Sequence, residues 1–164
     1  MGTKPFYSVL QVDIGMVHEP TVMIHASMFM DQFGRLEKFV FHTVDVLTQW
    51  SMTGVEHVIL SKCERYVINS VVFDQHQSAY VVERLKSRGI NANVQHITKQ
   101  MHDDSESVWY EFIRSKQIEY ENSFINSGWR GEDNRLLGRT LLSLLRQKNS
   151  FEDSLDRLFQ GDIQ

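Results

Sequence analysis

Apolar positions along the chain follow two different periods. Residues 6–13 are mostly apolar with little alternation, the pattern of a strand buried on both faces. Between 21 and 31, Val22, Ile24, Ala26, Met28 and Met30 fall on every second position and predict a second strand. A turn at Gln32-Phe33-Gly34 leads into a β-branched and aromatic stretch, 34–46, so the first three strands read as a meander. The period then lengthens. Val55, Val58, Ile59, Tyr66 and Val67 recur at helical intervals over 55–70. "VVFD" (71–74) is a fourth strand, and 78–89 a helix between a candidate N-cap, Ser78, and a stop, Gly89. Residues 91–97 give a short fifth strand, and 99–106 a polar loop whose acids precede a helix over 105–117 carrying Trp109 inward. Leu136, Leu137, Leu141, Leu144 and Leu145 stripe a helix over 131–148. A last short helix over 150–161 turns Phe151, Leu155, Leu158 and Phe159 inward. The order β-β-β-α-β-α-β-α-α-α predicts an α/β fold: a five-stranded mixed sheet, three strands in a meander plus two parallel strands, flanked by helices.

That order makes the first and fourth strands parallel neighbours, and each ends on a carboxylate, Asp13 and Asp74. Neighbouring strands run ~4.8 Å apart, so the two acids would share one small volume outside the strands' carboxyl ends. Carboxylates that close repel unless a cation or a proton lies between them. Mg²⁺ and Mn²⁺ are hard cations that take such oxygens, and two ions roughly 4 Å apart can clamp both oxygens of a phosphodiester displacement. Asp is also a frequent turn starter and cap after a strand, and that reading stands beside the metal one.

Composition narrows the alternatives. A chain of 164 residues is about one domain with room for a core, and it is read as one unit, 1–164. No apolar run is long enough for a membrane span, and the N-terminus lacks a signal-peptide pattern. The lone Cys63 cannot form an internal disulfide and suits a reducing compartment. CxxC, HExxH and GxxxxGK[ST] are all absent, which argues against structural zinc and against a Walker-type ATPase in this segment. A net charge of −4 argues against a strongly basic protein that coats nucleic acid, but does not exclude a nuclease whose acidic metal site offsets a basic groove.

A family resemblance adds to this. "VVFDQHQSAYVVERLKSRGINANV" (71–94) resembles the nuclease domain of viral, bacteriophage-type terminase large subunits, in which a strand ends in "FDxxxS" before a helix and another strand. "IEYENS", the leucine-rich helix and "SFEDSLDRLFQG" are similar to that family's close, where an acidic "DxxDA" segment follows the helix. Here Arg157 stands where the family has a small residue, and the usual proline is missing. The resemblance covers residues from about 7 to 161 and implies a ribonuclease H-like fold. It implies a metal-dependent endonuclease cutting double-stranded DNA during genome packaging, with two Mg²⁺ or Mn²⁺ ions held by Asp13, Asp74 and a third acid, Asp156, with Asp153 as rival or helper. It further implies a longer chain with an N-terminal packaging ATPase domain, partnership with a small terminase subunit and portal, and work in the host cytoplasm, or the nucleus for a herpesvirus. Glu19 and His76 are candidate auxiliaries, and Arg84, Lys99, Arg130 and Arg135 candidate DNA contacts. A junction resolvase or ribonuclease H of the same fold, and a non-catalytic module, are the alternatives.

Overall fold

The computed structural model describes residues 4–16, 18–74, 78–129 and 134–160. The elements run β1 (Tyr7–Asp13), β2 (Thr21–Met30), β3 (Leu36–Leu47), α1 (Met52–Arg65), β4 (Ser70–Phe73), α2 (Ala79–Ser87), β5 (Ala92–Val94), α3 (Lys99–Arg114), β6 (Ile118–Tyr120), α4 (Asn122–Ile125) and α5 (Asn134–Gln160). The sheet order is β5-β4-β1-β2-β3-β6, with the β1–β2–β3 meander antiparallel and β4, β5 and β6 parallel to their partners. Alternation along the strands divides the core. Val9, Ile24, Ala26, Met28, Phe39 and Phe41 face α3 and α5, with Trp109 and the leucine stripe packed on them. Leu10, Val12, Met23, Val71 and Phe73 face α1 and α2.

Three expectations are corrected. Among the described residues the sheet has six strands, because residues 118–120 pair with Phe39–Phe41 at the outer edge; three residues are too few to carry a visible period. The predicted polar loop at 99–106 is the start of α3, whose N-cap Thr98 accepts a hydrogen bond from the Met101 amide through Oγ1 at 3.1 Å. The two C-terminal helices are one continuous α5, since 146–152 contains no glycine or proline and Lys148 pairs with Glu152 one turn on. Its last turns are exposed, so Phe151, Leu155, Leu158 and Phe159 do not turn inward as a group; Phe151 touches Phe6.

On the α1 face, a β-bulge in β3 leaves His42 as an extra residue between Phe41 and Thr43. The bulge aims its ring at Ser27 Oγ (2.7 Å from Nε2) and Glu121 Oε1 (2.6 Å from Nδ1). His25 stacks on it with centroids 4.6 Å apart. Burial, then the neighbouring His42 and Lys62, lower the His25 pKa from 6.5 to about 3. Unfolded His25 therefore binds a proton as pH falls below about 6.5, while the folded ring does not. The fold is thus expected to lose up to about 1 kcal/mol per pH unit from this residue between pH 6 and 4. Urea unfolding of His25→Leu across that range should show a shallower decline than wild type; parallel declines would refute the assignment.

Candidate active site

Asp13 closes β1, and Asp74 directly follows β4. The strands pair in parallel with Val12 opposite Phe73, and the Asp74 amide donates to the Val12 carbonyl at 3.2 Å. The aspartates therefore occupy matched positions on adjacent strands and, by alternation, the α5 side of the sheet. Asp74 is buried, whereas Asp13 keeps about a third of its side chain exposed. Gln95 completes the row. Phe73 faces Val94 in the β4–β5 ladder, so Gln95 lies opposite Asp74, and its amide donates to the Phe73 carbonyl at 2.7 Å.

Above this row lies the first part of α5. The helix runs antiparallel to β1: Arg139 is beside Asp13, Ser143 beside Gln11, and Phe151 beside Phe6. Gly138 allows the approach. A Cβ there would stand 1.9 Å from the Ser105 carbonyl oxygen of α3, so no other residue fits without moving a helix. Arg139 is 4% exposed, and its Nη2 lies 3.9 Å from Asp13 Oδ2. A relay fixes the floor: Ser143 Oγ donates to Gln11 Oε1 (2.8 Å), and Gln11 Nε2 donates to Gln95 Oε1 (3.3 Å).

Gly15, two residues after Asp13, is held tightly. The Gly15 amide donates to Thr21 Oγ1 (3.1 Å), and a Cβ on Gly15 would meet the Glu19 and Pro20 carbonyl oxygens at 2.4 Å. Gly15→Ala is expected to cost about 1–3 kcal/mol in urea unfolding, because those contacts are backbone and yield little. A loss under 0.5 kcal/mol, the ordinary range of an unstrained surface change, would show that the loop adjusts freely.

The expected auxiliaries and third acids divide as follows. Glu19 lies at the same sheet edge, but its carboxylate closes the turn by accepting from the Met16 amide (3.3 Å), and its carbonyl accepts from Trp50 Nε1. Asp153 and Asp156 are not brought to Asp13 and Asp74. They lie beyond Phe151, past the opposite end of β1, about 20–25 Å along the helix from Arg139 at 1.5 Å per residue. The expectation of either as third carboxylate is corrected on that ground. Among the described residues, no group of three acids, histidines or cysteines converges as a metal-binding set. Arg84 lies on the α1 face, donating to Glu56 Oε2 at 2.7 Å, so it ties two helices together and does not line this site. The same contact holds the Glu56 carboxyl below its usual range. Arg135 sits one turn before Arg139, half exposed, beside Glu106 (3.2 Å). Lys99 is exposed in the first turn of α3. His76 and Arg130 lie outside the described residues.

Two residues of the site escaped sequence reading. Arg139 sits inside the leucine stripe, where an arginine reads as a solvated position. Its place three residues after Leu136, with Ser143 a further turn on, was the available signal of a polar seam inside an apolar face. Gln95 carried no signal, since its role follows from strand pairing. The donor set fits a hard divalent cation: two carboxylates from adjacent strands supply the oxygens that Mg²⁺ or Mn²⁺ takes, with water completing the shell.

No family model matches the chain, and no curated protein does. Solved structures do. The large terminase nuclease domain of bacteriophage SPP1, determined with bound Mn, aligns at 15% identity over 72% of this chain and 62% of that one, with a TM-score of 0.48. The large terminase nuclease of thermophilic phage G20c gives 14%, 71%, 59% and 0.49. This chain thus spans about three-fifths of those domains. Fowlpox virus resolvase, solved with Holliday junction DNA, aligns at 16% identity over 85% of this chain and 99% of that one, with a TM-score of 0.51. The fold is ribonuclease H-like.

Proposed function

We propose that this chain is a divalent-metal-dependent endonuclease hydrolysing DNA phosphodiesters, with Asp13 and Asp74 as its metal-binding carboxylates. The observation that carries the proposal is their matched position at the carboxyl edge of adjacent parallel strands. A bound Mg²⁺ or Mn²⁺ would supply Lewis acidity at a phosphoryl oxygen and a more acidic water. Asp74, buried and fixed by the sheet, sets the position of the donor pair. Asp13, partly exposed, stands where solvent and substrate reach the site. Lys99, exposed in the first turn of α3, and Arg135, half exposed beside Glu106 on α5, are candidate contacts for backbone phosphates, contacts that carry no base information. Weak sequence preference follows.

Duplex DNA cut during viral genome packaging is the first substrate reading, from the motif resemblance at residues 71–94; a packaging ATPase, small subunit and portal would then hold the DNA. Junction resolution is the second, favoured by the near-complete coverage of the fowlpox resolvase. Supercoiled plasmid and a four-way junction incubated with Mn²⁺, Mg²⁺ or chelator separate them. Metal-dependent plasmid nicking is expected; cleavage confined to the junction would favour resolution, and no cleavage of either would sink the nuclease reading.

A further inference from the structure

Two donors at this site are buried without acceptors. Arg139 Nε and Gln95 Nε2 have no hydrogen-bond partner among the described residues, and both side chains are more than nine-tenths buried. Neither is there by accident of rotamer. The Gln95 amide is oriented by the relay: the Ser143 hydroxyl donates to Gln11 Oε1, which turns Gln11 Nε2 toward Gln95 Oε1 and leaves Gln95 Nε2 pointing elsewhere. Arg139 is held by the close α3–α5 crossing at Gly138, and its ion pair to Asp13 is long at 3.9 Å. A buried guanidinium so poorly compensated, and a buried N–H without an acceptor, each leave a desolvation cost unmet. Each of these N–H groups is left to take an acceptor oxygen, and an anion suits the guanidinium best. The two donors flank the Asp13–Asp74 pair, Arg139 from the helix above and Gln95 from the adjoining strand.

We propose that Arg139 and Gln95 form the phosphate-holding half of the site, donating to the non-bridging oxygens of the DNA phosphodiester. Arg139 also takes the electrostatic place of a second cation, so the chain binds one divalent ion. This rests on the nuclease reading for the identity of the anion, but its test does not rest on cleavage. The charge count agrees: two carboxylates and one guanidinium leave a single negative charge, which one divalent ion converts to a single positive charge facing phosphate.

The test measures two affinities on the intact chain. One is for a fluorescein-labelled duplex in Ca²⁺, to suppress turnover, by anisotropy; the other is for Mn²⁺ alone, by calorimetry. Arg139→Gln is expected to weaken duplex binding roughly 10- to 100-fold, the range for a hydrogen bond to a charged group. Mn²⁺ affinity should hold or rise, because a positive charge beside Asp13 has gone. Gln95→Glu keeps the shape, replaces the donor with an acceptor and adds a negative charge; it should likewise weaken duplex binding while Mn²⁺ affinity holds or rises, and it carries the test if Arg139→Gln does not fold. Wild type should bind one Mn²⁺. A merely structural role would lower both affinities together, and that result overturns the proposal, as do unchanged duplex binding or two Mn²⁺ per wild-type chain. Failure of the nuclease reading is read separately, as plasmid and junction left intact by a wild type that folds.

Discussion

Asp74→Ala is expected to abolish metal-dependent cleavage, by at least about 10³-fold, with the fold retained. The size follows from what a bound cation supplies, several kcal/mol of transition-state charge stabilisation, each 1.36 kcal/mol being tenfold in rate. Asp74 is the stronger test of the two carboxylates because it is buried and its backbone is tied to β1, so no neighbour moves in to replace it. Asp74→Asn keeps the shape and removes the charge, and should be nearly as damaging. Asp13→Ala should also fail, and should in addition leave Arg139 without its ion pair. Nicking of supercoiled plasmid in Mn²⁺ measures all three, with melting curves to establish folding. A folded Asp74→Ala protein that cuts at more than a tenth of the wild-type rate would remove the site from consideration.

Gly138→Val should be the most destabilising single change in the described residues around this site, by about 3 kcal/mol or more. At 1.9 Å from the Ser105 carbonyl oxygen, a new Cβ cannot be accommodated by side-chain rotation, because the clash is with backbone. Either α5 lifts from α3 or the contact is lost, and overpacking on that scale exceeds the usual 1–3 kcal/mol cost of an extra methylene. Ala already brings the clash, and Val adds branching. Urea midpoints for wild type, Gly138→Ala and Gly138→Val should fall in that order. Equal midpoints for wild type and Gly138→Val would mean that the helices are not packed this closely. Because Arg139 is the next residue, a folded Gly138→Ala protein should also bind duplex DNA less tightly.

Much of this architecture was legible along the chain. Period-two apolar spacing at Val22–Met30 and the β-branched and aromatic run at 34–46 identified the meander, since side-chain direction alternates by covalent geometry alone. The helical spacing at 55–70 and the leucines of 136–145 did the same for α1 and α5. The strand-end acids at 13 and 74 were visible because each interrupts an apolar run. The failures have physical reasons. β6 is three residues long and exists through its partner's edge. The start of α3 is polar because it is solvated, and polarity alone does not separate a loop from an exposed helix. Asp153 and Asp156 looked suitable by spacing, but spacing is silent about which end of a helix meets the sheet.

What the sequence alone determined is local: which stretches alternate, which wind, and which apolar runs end in a charge, all consequences of periods of 2.0 and 3.6 residues. The direction in which α5 crosses β1 is set by how the folded elements pack, not by any local pattern. That direction brings Arg139 to Asp13 and carries Asp156 away, because a rigid helix advancing 1.5 Å per residue can present only one of its ends to a given strand edge.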